Sequence, residues 1–342
     1  MGASSLALLL LVGPAALCEA AARHRTSFAA SSSAIRAHLR QTAVRPVSLS
    51  IAPEFDFESA AVRVDVVEPQ DLENAVDTDV RWHSDRIWGQ MRERATDLAA
   101  ESSLLYTFFD NVVLRHGSIA AALGALLASK LKGGGLESQG LRELMTEVFA
   151  EPDVHRATLT DMLQVLHVDP AGPDLLTVLL HFKGFHALQT HRVAHRLWLR
   201  GDEGARHLAL MLQGRSSAVF GLDIHPGAKI GMSTFFDHGT GIVIGETASI
   251  GNGCYLMHGV TLGSTGKVDS NGARHPSVGS HVRVGASATI LGPIHVSDDA
   301  VIGAKAIVTK PVAVGATVVE TNRVLERRAN ADPLDLTYLY EI

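Results

Sequence analysis

The residues best suited to acid–base chemistry fall in or near one short stretch, FFDHGTGIVIGETASIGNG at residues 235–253. It contains Asp237, His238 and Glu246, and Asp223 lies 15 residues before the histidine. A histidine titrates near neutral pH and can take a proton from a weak nucleophile, while a carboxylate on its other ring nitrogen fixes the tautomer. We therefore predict His238 as a general base and Asp223 as its orienting acid. For a histidine at a turn, a hydrogen bond to the backbone is the simpler alternative.

A six-residue repeat surrounds these residues. Hexapeptide repeats are typical of a parallel β-helix, in which three units close one triangular coil and the repeated apolar side chains stack inside it. The 15 residues between Asp223 and His238 are close to one coil, so the two side chains are expected on adjacent coils. The repeated positions include a two-residue slip and one 16-residue step, and they are Ile224, Ile230, Phe236, Ile244, Ile250, Leu256, Leu262, Val278, Val284, Ile290, Val296, Ile302, Val308 and Val314.

Both irregularities in the repeat mark expected loops. The slip falls on HGTG at 238–241, which has to bulge or bend. The long step covers GSTGKVDSNGARHPS at 263–277, which has little to bury and is expected to leave the coil. Its first residues resemble a phosphate-binding loop, but they lack the spacing and the strand-to-helix context of a P-loop, so no nucleoside triphosphate is expected.

The region before the repeat, from about residue 77 to 219, has a helical period. Apolar residues recur there at three- and four-residue spacing, interrupted by GGG at 133–135 and DPAGP at 169–173. We predict seven or eight helices in this region. The fold class is therefore α+β, with an N-terminal all-helical domain at 77–219, a parallel β-helix of hexapeptide repeats at 220–320 and a C-terminal tail at 321–342.

The first 76 residues have the character of targeting sequence. Residues 1–20 contain an apolar run and then small residues suited to signal cleavage. The leader at 21–76 opens with a stretch rich in Arg, Ser and Ala, typical of a transit peptide. A two-part leader predicts a plastid protein, with the secretory pathway or the cytoplasm as alternatives, and no membrane span is expected in the mature chain.

Composition excludes two further classes of protein. The formal net charge of -6 offers no basic excess for a phosphate backbone, so nucleic acid is not an expected partner. The two cysteines, Cys18 and Cys254, are too few for a disulfide scaffold.

Several strings along the chain together identify a family. DIHPGAKIG, DHGTGIVIGETASIG, VTLGSTGK, RHPSVG and GASATILG lie in the repeat region, and DPAG and KGFHALQTHRVAH lie in the helical region. They resemble serine O-acetyltransferase, and the resemblance runs from about residue 80 to 318. It implies acetyl transfer from acetyl-CoA to L-serine, giving O-acetylserine in the route to cysteine. It also implies that the β-helix is left-handed, that trimers form through it, and that the helical domains pair trimers into hexamers.

The resemblance assigns the binding of serine to five residues. Arg274 has the planar fork that suits a carboxylate, and His275 is its neighbour. Asp237 and Asp169 match residues that bind the ammonium group, and Glu246 is expected to pair with Arg274. Two simpler alternatives stay open, namely that Asp169 only caps a turn and that Glu246 is a solvated corner carboxylate.

The resemblance also implies an acetyl-CoA slot and a protein partner. The family usually closes the β-helix with a Gly-Val-Pro-Ala-Arg-like segment, where this chain has VVETNRVLERR. The C-terminal Ile342 matches the residue that inserts into the active site of O-acetylserine sulfhydrylase, and cysteine is an expected feedback inhibitor. The slot is lined by backbone donors and small side chains, expected here from Gly263, Ser264, Thr265, Gly266, Lys267, Ala286 and Ala304.

Three other functions are compatible with parts of the sequence. His191 and His195 could form a metal-ligand pair on one helical face, but no third ligand is evident, so we expect no metal. A hexapeptide acetyltransferase with another acceptor, such as homoserine or a sugar, would share the repeat. An inactive scaffold that regulates the sulfhydrylase through Ile342 would share the tail, but it would not need both His238 and Asp223.

Overall fold

The computed structural model describes residues 68–136, 138–171 and 174–325. The predicted signal at 1–20 and the predicted leader up to residue 67 lie outside the described residues. So does the chain from residue 326 onwards, including Ile342.

Helices occupy the described chain up to Phe220, and they are α1 (Pro69–Glu73), α2 (Asp77–Ala99), α3 (Ser103–Phe109), a π-helix (Asp110–Leu114), α4 (Ile119–Leu131), α5 (Ser138–Phe149), α6 (Pro152–Val168), α7 (Leu175–His181), α8 (Lys183–Arg200) and α9 (Glu203–Phe220). Side-chain oxygens of Ser118, Asp174 and Asp202 cap the first turns of α4, α7 and α9. Helices α8 and α9 end at Gly201 and Gly221, whose φ values of 80° and 78° are left-handed and favour glycine.

Helix α4 lies in the core of this region. Its Leu123, Leu127 and Leu131 side chains are fully buried. Within the described ranges, no single helix has both the length and the apolar composition to cross a membrane, although the bent pair Ser103–Leu114 and Ile119–Leu131 meets these criteria jointly.

Helix α1 lies in the segment predicted as leader, so the helical region begins before the predicted boundary at residue 77. Leu72 is 1% exposed. The Glu73 carboxylate accepts hydrogen bonds from Ser233 Oγ and, at 3.1 Å, from Asn252 Nδ2, both in the β-helix. A five-residue helix gives no periodic signal in the sequence, and contacts distant along the chain hold it in place.

The β-helix consists of fifteen short strands among the described residues, each contributed by one side of a coil. They are β1 (Asp223–Ile224), β2 (Lys229–Ile230), β3 (Phe235–Asp237), β4 (Val243–Ile244), β5 (Ser249–Ile250), β6 (Tyr255–Met257), β7 (Thr261–Gly263), β8 (Ser277–Val278), β9 (Arg283–Val284), β10 (Thr289–Leu291), β11 (His295–Val296), β12 (Val301–Ile302), β13 (Ile307–Val308), β14 (Thr317–Val319) and β15 (Arg323–Leu325). The first sheet is β1-β4-β7-β10-β13, the second is β2-β5-β8-β11, and the third is β3-β6-β9-β12-β14-β15. The strand pairs are parallel except β14 with β15.

The predicted six-residue register is confirmed as far as Val308. The repeated side chains stack in the core, where Ile230 is half-buried and the others are buried. The prediction for Val314 is wrong, because this side chain is 70% exposed. Val312 instead bridges Val296. Pro311 fixes φ at the preceding corner, and the unit between Val308 and Val312 is two residues shorter than a hexapeptide.

A buried ion pair joins the helices to the first coil. Arg192 on α8 donates to the two carboxylate oxygens of Asp161 on α6 at 2.7 and 2.8 Å, and to the Gly231 carbonyl at 2.9 Å. Asp161 also accepts from Thr234 N at 3.0 Å and from Gln189 Nε2 at 2.8 Å. Burial raises the pKa of Asp161, while Arg192 and the other donors oppose this shift. This network fixes the corners that carry the site relative to the helices.

Candidate active site

His238 occupies the bulge between β3 and β4. Its φ of +55° is the left-handed conformation that few non-glycine residues adopt. Its side chain is 74% exposed, and Nε2 lies 3.9 Å from Asp237 Oδ1. Tyr255 donates a hydrogen bond at 2.7 Å to Asp237 Oδ2, which holds this carboxylate beside the histidine. Among the described residues, no backbone group bonds to the His238 ring, so the ring is open to a substrate.

Asp223 and His238 are not in contact within the described part of this chain. The Asp223 Oδ1 atom accepts a hydrogen bond from Gln213 Nε2 on α9 at 2.7 Å. Its backbone pairs with Val243 on the next coil, as the coil-length spacing predicts for adjacent coils. The carboxylate nearest to His238 in the chain is that of Asp237.

Arg274 and His275 meet Glu246 at another corner. The Arg274 Nη2 atom donates to Glu246 Oε2 at 2.6 Å, so the expected pairing is present. Thr247 Oγ1 accepts hydrogen bonds from the backbone N–H of Arg274 at 2.9 Å and from that of His275 at 3.1 Å. These bonds fasten the end of the 263–277 loop to the corner between β4 and β5.

The contacts of His275 determine its tautomer. Nδ1 accepts from the Thr247 backbone N–H at 3.2 Å and lies 2.8 Å from Thr247 Oγ1. Because a backbone N–H can only donate, the proton of the neutral ring resides on Nε2. Burial and the nearby Arg274 lower the pKa of His275, with Glu246 opposing them, so the ring is neutral at neutral pH. A Cβ at Gly245 would overlap this ring, which explains the glycine there.

His225 lies in the same group, one coil below Glu246. Its Nδ1 accepts from Gly227 N at 3.0 Å, and its ring packs edge-on against Trp198 at 5.0 Å. Burial lowers the pKa of His225, while Glu246 and Asp223 raise it. The group therefore combines neutral imidazoles with one paired guanidinium.

These two groups lie at two different corners of the triangular coil. His238 lies between β3 and β4, where the third sheet turns into the first, and Glu246 lies between β4 and β5, where the first turns into the second. Asp169 lies at neither corner. It follows α6, and its Oδ1 accepts from Ala171 N at 2.9 Å, which is the turn-capping arrangement.

The residues expected to line the acetyl-CoA slot divide between the same two corners. Gly263 ends β7, and Gly292 N donates to its carbonyl at 2.9 Å. Ala286 and Ala304 follow β9 and β12 and therefore share the His238 corner. The loop residues after Gly263 are exposed, and they are Ser264, Thr265, Gly266 and Lys267.

His191 and His195 serve at the interface between the helices and the β-helix, as the sequence indicated. His195 Nδ1 donates to the Pro226 carbonyl at 2.7 Å, and the two rings stack at 5.7 Å. Burial lowers the pKa of both histidines. Across the described ranges, no group of three or more His, Cys, Asp or Glu side chains is placed to hold a metal ion.

Cys254 is buried, and burial raises the pKa of its thiol to about 12. It is therefore an inert core residue, as its position in the repeat indicated.

Sequence reasoning missed Thr247, Tyr255 and His225. Thr247 directly follows Glu246, and a hydroxyl at a corner position next to a predicted charge was the available signal. Tyr255 lies opposite Phe235 in the β3–β6 pair, so its reach to Asp237 follows only from the coil register. His225 was visible as the second residue after Asp223.

Comparison with known proteins places the chain in a family. The family model described as "Serine acetyltransferase, N-terminal" matches residues 87–190. The serine acetyltransferase of Haemophilus influenzae is 43% identical over 232 residues, which cover 68% of this chain and 85% of that protein. Serine acetyltransferase 2 of Arabidopsis thaliana is 44% identical over 230 residues, which cover 67% of this chain and 70% of that protein.

Solved structures agree with these relatives. Soybean serine acetyltransferase complexed with serine superposes with a TM-score of 0.67 at 39% identity, covering 71% of this chain and 98% of that one. A serine acetyltransferase from Brucella abortus in complex with coenzyme A gives 0.67 at 36% identity, covering 70% and 95%. A serine acetyltransferase complex with cysteine gives 0.67 at 41% identity, covering 70% and 99%.

The predicted architecture, a helical region followed by a left-handed parallel β-helix, is thus confirmed. By identity, coverage and fold together, this chain belongs to the serine acetyltransferase family.

Proposed function

We propose that this chain transfers the acetyl group of acetyl-CoA to the hydroxyl of L-serine, giving O-acetyl-L-serine and CoA, with His238 as the general base. The observation that carries this proposal is the exposed His238 ring in a left-handed bulge beside Asp237. Relatives at more than 40% identity carry the name serine acetyltransferase, and neighbouring structures contain serine or coenzyme A.

The reaction needs one proton acceptor and no covalent enzyme intermediate. As the serine oxygen attacks the thioester carbonyl carbon, His238 Nε2 takes the hydroxyl proton. The tetrahedral intermediate then collapses, its carbon–sulfur bond breaks, and the electron pair leaves on the CoA sulfur. The imidazolium returns its proton to this thiolate, so the enzyme ends in its starting state. Both substrates are bound together throughout, in a ternary complex.

The site is completed by two protomers. The base lies on one corner of the coil, and Arg274, His275 and Glu246 lie on the next corner, so a substrate that touches both groups fits where two β-helices meet side by side. A homotrimer packed through the β-helix creates three such places, and pairing of trimers through the helical region gives a hexamer. Asp223 then acts as the orienting acid for His238 once assembly brings its carboxylate to the ring.

Serine is held by its two charged groups. Arg274 and the Nε2–H donor of His275 bind the carboxylate, while Asp237 and, from the helical region, Asp169 bind the ammonium group. Glu246 holds the Arg274 guanidinium in position before serine arrives, since their side chains are within 2.6 Å of each other. Acetyl-CoA lies along the loop residues Gly263, Ser264, Thr265, Gly266 and Lys267 and against Ala286 and Ala304.

Regulation and partners follow the same family. Cysteine differs from serine by a thiol in place of the hydroxyl, so it competes at the serine site, and a neighbouring structure contains cysteine. The C-terminal Ile342 binds O-acetylserine sulfhydrylase. The N-terminal leader directs the chain to a plastid, and plant relatives exist in the family.

An acetyl-transfer assay tests the proposal. A chain beginning at residue 63, which keeps every described helix, is incubated with acetyl-CoA and a panel of serine, homoserine and a hexose, and thiol release is followed. Serine-dependent release that disappears in the His238→Ala variant is expected. Release only with homoserine or the sugar would assign another acceptor, and no release with any acceptor would leave a scaffold for the sulfhydrylase.

A further inference from the structure

One edge of the β-helix carries His238 and, three coils further, Lys305. The corners along this edge are joined by backbone hydrogen bonds of 2.8 Å each, namely Gly259 N to Thr240 O, Ser287 N to His258 O, and Lys305 N to Ala286 O. Neighbouring strands of a sheet are about 4.8 Å apart, so three coils put Lys305 roughly 14 Å from His238 along the edge.

Lys305 presents an uncommitted positive charge on this edge. Its side chain is exposed, and it forms no hydrogen bond or ion pair with any residue that the structure describes. Its φ of +59° equals that of Ser287 on the preceding coil and is close to the +55° of His238. The left-handed backbone therefore belongs to the corner, and the charge is what distinguishes Lys305.

The dimensions of acetyl-CoA match this row of residues, a step that rests on the proposed function. About 13 bonds separate the thioester sulfur from the first phosphorus through the pantetheine arm, and at the peptide value of 3.8 Å per three extended bonds the arm reaches roughly 16 Å. Ala286 and Ala304 lie between the two ends and present only methyl groups. A thioester at His238 therefore brings the pyrophosphate beside Lys305.

We propose that Lys305 binds the pyrophosphate of acetyl-CoA and thereby sets the preference for a phosphorylated acyl donor. An ammonium group is a compact point charge that pairs with phosphate oxygens. The phosphates are remote from the reacting carbon, so the contact is the same in the ground state and the transition state. Loss of Lys305 therefore raises the KM for the donor and leaves kcat unchanged.

The full chain, Lys305→Ala and Lys305→Arg are compared with three acyl donors: acetyl-CoA, acetyl-dephospho-CoA and acetylpantetheine. Lys305→Ala should raise the KM about 5- to 30-fold for the first two donors, as expected for one charge-assisted contact at an exposed site, and should leave the KM for acetylpantetheine unchanged. Lys305→Arg should stay near the unmodified chain. Lys310→Ala, which removes an exposed lysine from another corner, is the matched control and should behave like the unmodified chain.

Three results would overturn the proposal: an unchanged KM for acetyl-CoA, an equal rise with acetylpantetheine, or an equal rise in Lys310→Ala. An effect that vanishes with acetyl-dephospho-CoA would also contradict it, because the contact would then be to the 3′-phosphate. Calorimetric titration of CoA and of pantetheine into the same chains gives an answer independent of turnover. If the unmodified chain transfers no acetyl group to serine, the proposed function fails, and CoA binding still decides the role of Lys305.

Discussion

Thr247→Val is the substitution that best separates the serine-binding corner from the rest of the site. Valine keeps the shape of threonine and removes only the hydroxyl. That hydroxyl accepts two backbone N–H groups, those of Arg274 and His275, and donates to His275 Nδ1. One oxygen thus uses its donor and both acceptor positions, so no other single atom fixes this segment as completely.

The expected magnitude follows from these three bonds. Each is worth about 1 kcal/mol net, and the corner is only partly buried, so their loss should weaken serine binding by roughly 1.5–3 kcal/mol, or about 10- to 100-fold in KM. The turnover number should change much less, because His238 lies on another corner. The Arg274–Glu246 pair cannot compensate, since its side chains are 45% and 40% exposed and such pairs contribute at most about 1 kcal/mol.

Steady-state kinetics with serine varied at saturating acetyl-CoA measure this effect. Thr247→Ser, which retains the hydroxyl, is the matched control and should stay within a few-fold of the unmodified chain. An unchanged serine KM in Thr247→Val would refute the reasoning that this hydroxyl positions Arg274 and His275. A loss of the same size in Thr247→Ser would assign the effect to packing.

Four further outcomes are expected. His238→Gln should lower turnover by about 10²- to 10⁴-fold without changing the oligomer mass measured by light scattering; near-normal turnover would remove it from the mechanism. Arg192→Met should destabilise the chain by about 3–5 kcal/mol in urea unfolding, because Asp161 is left as a buried unpaired carboxylate; an unchanged midpoint would contradict this. A chain that starts at residue 77 should melt at a lower temperature than one that starts at 63, because it lacks Glu73 and its bonds to the β-helix; equal melting temperatures would exclude a role for α1. Burial lowers the pKa of His186 to about 4, so its neutral form is favoured by folding, and about 3 kcal/mol of stability present above pH 6.5 should be lost as pH falls towards 4; His186→Gln should flatten this dependence in urea titrations, and an unaltered slope would exclude it.

Periodicity predicts the β-helix well because each hexapeptide encodes one inward side chain. The repeat locates Ile244 and Leu262 on neighbouring coils, and the structure pairs them directly. The same counting fails at Val314, since a regular step assumes corners of constant length and the corner at Pro311 is shorter. Periodicity also says nothing about α1, which depends on contacts far along the chain.

The candidate site is predictable only in part from the sequence. The pairing of Arg274 with Glu246 follows from two opposite charges near one loop, and it is present. The roles of Thr247 and Tyr255 depend on how coils stack, which residue types alone do not state. The separation of His238 from Arg274 requires a count of units modulo three, and the bulge and the loop obscure that count.

The two ends of the β-helix are closed in different ways, and this bears on self-association. Open solenoid ends expose unpaired backbone groups that can template another chain and propagate into fibres. At the start, the Gly221 carbonyl that ends α9 accepts from Gly241 N at 2.7 Å, so the helical region covers the first coil. At the other end, β15 folds back antiparallel on β14, and Asn322 exchanges hydrogen bonds with Thr309. The chain reversal, with charges at Glu320 and Arg323, thus presents an edge that a second β-helix cannot extend, and growth stays lateral and finite.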